Sequence, residues 1–158
     1  MDKIITTTLL IMAGVVCMIF VFNSVFPMVN RSSQAIVSMA DDMNDRLKTR
    51  VSIVHAAATA DRKTVYVWIK NTGSSRIANI EQSDLFLGQE GNFLRVPYSA
   101  YAGSNYPRWE YEIENDTEWL PTSTIKITVT YDTDPGTGQY FVKIVIPNGT
   151  EAEYYFSM

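Results

Sequence analysis

Between Ile4 and Val29 lie twenty-six residues without a charge, and no other stretch limits the fold so tightly. As a helix at about 1.5 Å per residue, the run covers ~39 Å, more than the ~30 Å hydrocarbon core of a bilayer. It is apolar on every side rather than along one stripe, so the helix it predicts has no aqueous face. Ile4, Leu9, Met12, Gly14, Val16, Phe20 and Phe22 are the residues through which such a helix would meet lipid or copies of itself.

Beyond Val29 the residues stay compatible with helix while becoming polar. Ala35, Ile36, Met39, Met43 and Leu47 recur at spacings of three and four, with Asp41, Asp42, Asp45, Arg46 and Lys48 between them, which is the periodicity of a helical stripe. The pattern predicts one rod of about 45 residues, ~68 Å long, kinked by Pro27 near Asn23. Asp41, Asp42 and Arg46 are the candidates for setting register between neighbouring rods. The start around Asp2 and Lys3 is weakly charged and the apolar part exceeds a signal peptide's 7–15 residues, so the segment reads as retained rather than cleaved. Lys3 favours an inside N-terminus, whereas Arg31, Arg46, Lys48 and Arg50 on the far side oppose it.

The net charge of −4 and the scattering of thirteen Lys and Arg exclude a phosphate-binding face and hence nucleic acid. The single cysteine, Cys17, lies in the apolar run, so the chain makes no internal disulfide and no thiolate metal site. The single histidine, His55, stands in a strand-like segment and gives neither a zinc site nor a Ser-His-Asp arrangement. Gly88-Gln89-Glu90-Gly91 lacks the lysine and following helix of a phosphate loop. No cofactor and no catalytic activity are expected.

From Val51 the period changes to two. Val51, Ile53 and His55 alternate with Ser52, Val54 and Ala56, a polar break follows at Asp61-Arg62-Lys63, and Thr64 to Lys70 reads as the second strand of a pair. Further strands are expected at 76–80, 84–87, 92–96, 109–114, 124–131, 139–146 and 150–157, with 88–91 as a hairpin turn and 97–107 as a Tyr-, Ser- and Gly-rich loop. The fold class is α+β: a long hydrophobic helix and stalk over 1–48, then an antiparallel Ig-like β-sandwich of about eight strands over 49–158. Its core should be built on Val65, Val67, Ile69, Ile125, Ile127, Val129, Val142 and Ile144. The strand at 139–146 is apolar on both faces, with Phe141 and Val145 opposite Tyr140, Val142, Ile144 and Ile146. Such a strand is either central and covered twice or has its outer face against another chain.

Asp132 and Asp134 supply two carboxylates in a Gly- and Pro-containing turn, a weak calcium candidate beside their ordinary role in turns. Sequons at Asn30, Asn115 and Asn148 are candidates for N-glycosylation.

Three strings carry a resemblance: Val67-Trp68-Ile69-Lys70-Asn71-Thr72-Gly73-Ser74, Trp119-Leu120-Pro121-Thr122-Ser123-Thr124-Ile125 and Pro147-Asn148-Gly149-Thr150. Together with the order of helix, stalk and sandwich, they resemble the archaeal flagellins (archaellins) and their envelope-associated relatives. The resemblance implies a structural subunit of an extracellular, type IV pilus-like motility filament. Its partners would be copies of itself in a helical filament, the membrane before assembly, and the archaellum motor and membrane platform. A second reading within the family is a membrane-anchored stator that contacts the surface-layer protein. A third, from another class, is a membrane-tethered extracellular binding module with its ligand in the loop of Ser99 to Tyr111. The glutamate at the fifth position of many type IV pilins is Ile5 here, so the charge contact attributed to it there is not available. The short basic leader of the family's filament subunits is not seen ahead of Met1.

Overall fold

The structure is a computed structural model that describes residues 1–158. A helix α1 (Asp2–Lys48) is followed by strands β1 (Val51–Ala58), β2 (Thr64–Asn71), β3 (Asp84–Gln89) and β4 (Asn92–Val96). A short helix α2 (Ser99–Ala102) then leads to β5 (Arg108–Glu114), β6 (Thr124–Thr130), β7 (Gln139–Val145) and β8 (Glu151–Ser157). The chain forms two compact units, Met1–Met43 and Asn44–Met158.

In the first unit every residue is exposed. Its polar side chains near the start are nonetheless satisfied: the hydroxyls of Thr6, Thr7 and Thr8 donate to the carbonyls of Asp2, Lys3 and Ile4 at 2.6, 2.7 and 2.9 Å. Back-bonding of this kind leaves only methyl groups facing outward, as an apolar medium requires. The rings of Phe22 and Phe26, one turn apart, stack with centroids 6.0 Å apart. The helix runs through Pro27 without a break, losing there only the hydrogen bond that the Asn23 carbonyl would have accepted. Unpaired apolar surface continues along its length, with Leu10 75% and Phe20 72% exposed.

The second unit is a sandwich of two antiparallel four-stranded sheets, ordered β1-β2-β6-β5 and β4-β3-β7-β8. Registers such as Val67↔Ile127 and Ile69↔Ile125, or Leu87↔Val142, align the apolar alternates of adjacent strands on one face. All eight expected core residues are fully buried, and Trp109, Trp119, Tyr140 and Phe156 fill the space between the sheets. β1 lies beside β8 and closes one side of the sandwich.

Four local expectations change. The segment 76–80 is not a strand: only Ile77 bridges, to Trp119, because Asn79 turns the chain into the left-handed region (φ 54°) ahead of a 3₁₀ turn at Ile80–Gln82. The 97–107 loop contains α2, so the sandwich is not wholly without helix. In β1 a bulge between Ile53 and His55 breaks the alternation, so Ala56 takes the inner position. His55 is exposed and stacks on Trp68, centroids 5.7 Å apart. Finally, Phe141 on the outer face of β7 is only 7% exposed within its own chain, with no further sheet over it. Phe93 of β4 and Tyr155 of β8 approach it at 5.2 and 5.0 Å. Phe93 reaches it across Gly88, where any Cβ would lie 2.6 Å from the Phe93 Cα.

Candidate functional site

The most constrained place in the sandwich unit is where α1 ends. Thr49, almost buried, turns its hydroxyl back to the Asp45 carbonyl at 2.7 Å. The next carbonyls are received by the loop after β2: the Ser74 N–H donates to the Lys48 carbonyl at 2.8 Å, and the N–H groups of Thr72 and Gly73 donate to that of Arg50 at 2.8 and 3.0 Å. Carbonyls at a helix end have no partner within the helix, so the Asn71–Ser75 loop acts as the cap. Gly73 is required there by contact: a Cβ would sit 2.4 Å from the Lys48 oxygen and 2.6 Å from the Arg50 nitrogen.

The loop is fixed in turn by Asn71, whose side chain is fully buried. Its amide donates to the Ser75 carbonyl at 2.9 Å and lies 3.4 Å from that of Trp119, and its side-chain oxygen accepts the Gly73 N–H at 3.0 Å. Trp119, also buried, donates its indole N–H to the Ser123 carbonyl at 3.3 Å. Arg76 and Glu118 pair across the outside of the same two loops at 2.5 Å. Two of the strings singled out in the sequence therefore meet as one joint. In the sequence Asn71-Thr72-Gly73-Ser74 stands out only as part of a string that carries the family resemblance and as the break between two expected strands. A glycine just past a strand was the available signal for close backbone approach, but what approaches it lies 25 residues earlier in the chain.

The other candidate residues are dispersed. Ile4, Leu9, Met12, Gly14, Val16, Phe20 and Phe22 are exposed along α1, with nothing within 4 Å of a Cβ built at Gly14. Asp41 and Asp42 are exposed in the same unit. Arg46 differs from the stalk-register reading: its guanidinium lies against the turn before β8, 3.1 Å from a Cβ placed on Gly149. A side chain this close to the helix end meets its own sandwich.

Asn30 lies inside α1, Asn115 is exposed just after β5 with φ 60°, and half-buried Asn148 accepts the Thr150 N–H at 3.0 Å. The Asp132/Asp134 calcium candidate resolves into a turn held by other means. Arg62 grips Asp134 through Nε at 2.9 and 3.0 Å and through its terminal nitrogen at 2.5 Å, and the Gly136 N–H adds a bond at 2.8 Å. Those contacts, Arg62 first, hold the Asp134 carboxyl down to about 2. No third carboxylate, histidine or cysteine gathers with the pair. In the Tyr-rich loop the rings pack on one another: Tyr98 sits 4.9 Å from Trp109 and 5.8 Å from Tyr101, and Arg108 lies 4.6 Å over Tyr106.

Set beside known proteins, residues 3–156 match the profile of the archaeal-type flagellin family. The chain belongs to that family. A family relative in Archaeoglobus fulgidus, described as an uncharacterized protein, is 28% identical over 98% of both chains. Among solved structures the fold resembles the archaellum periplasmic stator protein FlaG from Sulfolobus acidocaldarius, at 26% identity and TM-score 0.59, over 68% of this chain and 99% of that one. The same likeness holds for the stator complex of FlaF and FlaG from that organism, at 26% identity and TM-score 0.59, over 68% of this chain and 89% of that one. This flagellin-family chain is archaellum-related, with an Ig-like sandwich behind an apolar helix long enough to cross a membrane.

Proposed function

We propose that this protein is a non-enzymatic structural component of the archaellum, held in the membrane by α1, whose sandwich works outside the cell in a stator-like role. One observation carries the choice: the sandwich resembles FlaG over 99% of FlaG's solved chain, a protein described as a periplasmic stator. The apolar length of α1 supports the anchor, and the capped joint at Lys48–Arg50 supports transmission of force from helix to sandwich. A stator's task is to hold position, which suits a continuous helix entering a sandwich without a Gly- or Pro-rich linker.

The filament-subunit reading keeps one specific support, the match of the flagellin family profile to the helix as well as the sandwich. Electron microscopy of the protein extracted from membranes in mild detergent separates the two. Discrete particles that sediment with the membrane fraction after filaments have been sheared off are the expected result. Long filaments formed by this chain alone would overturn the stator reading. Reversal of Asp41 and Asp42 to lysine adds a second arm: it should leave membrane retention unchanged, whereas a filament subunit would lose assembly or change register.

A further inference from the structure

The four edges of the two sheets are not alike. The β1 edge is interrupted by its bulge and lies beside β8. The β5 edge is occupied at its start, where Tyr98 bridges to Trp109, and carries Glu110, Glu112 and Glu114. Bulges, charges and covering segments are the devices by which edge strands are kept from pairing with other chains. β4 is the least protected of the four edges. It carries no proline or bulge, Phe93 and Leu94 are 46% and 66% exposed on opposite faces, and its one charge, Arg95, is tied back to Asp84 at 2.6 Å.

The register fixes which backbone groups are free. Gln89 and Asn92 flank the two-residue turn at Glu90-Gly91, followed by Leu87↔Leu94 and Leu85↔Val96. The pair flanking a two-residue hairpin turn is hydrogen-bonded and the bonding alternates from there, so Asn92, Leu94 and Val96 direct their backbone groups to β3. Phe93 and Arg95 direct theirs away. β4 therefore presents two N–H groups and two carbonyls to its free side.

We propose that β4 pairs antiparallel with β4 of a second copy, about a two-fold axis through Leu94, to join the two β4-β3-β7-β8 sheets into one of eight strands. In this register Phe93 lies opposite Arg95 of the second copy and the reverse, so all four free groups of each chain are bonded. Leu94 meets its own counterpart on the inner face, where Leu87 behind it is already 3% exposed. On the outer face each guanidinium lies beside the other copy's Phe93 ring, a favourable cation–π contact. Charge and backbone exclude the neighbouring registers. A shift toward β5 sets Arg95 against Arg95, like charges directly opposed, and calls on the N–H that Pro97 lacks. A shift toward the turn requires Gly91, at φ 82°, to be extended. The pairing uses the sandwich alone and holds whether the protein serves as stator or filament subunit.

The test uses the full chain in detergent with Cys17→Ser. Cβ atoms of a non-hydrogen-bonded antiparallel pair approach to ~4.5–5.5 Å, near disulfide reach, so Leu94→Cys should give a dimer band under mild oxidation. Glu112→Cys, on the β5 edge, should give at least ten-fold less. Adding Arg95→Pro to Leu94→Cys removes a free N–H and spares the β3–β4 ladder; the band should disappear while the melting temperature stays within a few degrees. Dimer yield no higher than that of Glu112→Cys, or a band that survives Arg95→Pro, overturns strand pairing. A disulfide from Phe93→Cys in preference to Leu94→Cys overturns the register.

Discussion

A methyl group at Gly73 would fall 2.4 Å from the Lys48 carbonyl oxygen, and both neighbours there are backbone, which cannot swing aside as a side chain would. Gly73→Ala should cost about 1–3 kcal/mol, as overpacking typically does, and lower the thermal midpoint by several degrees. A midpoint unchanged within a degree would show that the loop gives way and that the joint is not tightly fitted. At the other residue-scale contact the prediction is a pH profile. Arg62, with help from the Gly136 N–H, holds Asp134 at about 2, below its ordinary 3.8. The folded state thus binds that proton less readily than the unfolded chain does, and the contribution to stability is present above the ordinary value and lost as pH falls through 2. Asp134→Asn should melt earlier than wild type at pH 6, with the gap closing between about pH 4 and pH 2. A gap independent of pH would mean that the turn is held by its backbone bonds and not by the ion pair.

At the scale of elements, β6 is the sharpest test of register. Ile127 is fully buried between Val67 and Tyr111 in register, so Ile127→Ala should cost ~2–5 kcal/mol. Thr128→Ala, on the opposite face, should stay within about 0.5 kcal/mol. Equal effects in urea titrations of the two variants would show the faces wrongly assigned. This strand was legible because its odd positions are apolar without exception, and α1 was legible because its apolar run has no period at all. Elements became illegible where one residue overrode the pattern. At 76–80 the left-handed turn at Asn79 ended a strand that alternation favoured, and in β1 a bulge moved the inner position from His55 to Ala56. Phe141 read as a surface awaiting cover because its cover, Phe93, comes from a strand two places away and crosses a glycine. The joint at Asn71 and Gly73 was hidden for a similar reason: the two residues mark a loop locally, and their role depends on a helix end they meet only after folding.

For the whole molecule, the division into an exposed apolar helix and a closed sandwich predicts that the two fail separately. Val16→Asp or Gly14→Arg places a charge in the segment that has no buried residue, at a cost of several kcal/mol in a bilayer. Either variant should leave the membrane fraction, while far-UV circular dichroism and the melting of the sandwich persist. Simultaneous loss of both would show that the sandwich depends on α1 for its stability.

The strand order also dictates a sequence of events during synthesis. α1 emerges first and can partition into the membrane while everything after it is unmade. β2 then waits with one edge unpaired until β6 arrives, 54 to 56 residues later, since Ile69 finds Ile125 and Lys70 finds Thr124. β3 waits likewise for β7. In the membrane-anchored role proposed above, the chain therefore stays open, and able to thread through a translocation pore, until more than three quarters of it is made. Closure by such distant pairings falls in the slow range of milliseconds to seconds, after the anchor is already in place. A chain stopped before Thr124 should be degraded or aggregate on the far side of the membrane, still tethered by an intact helix.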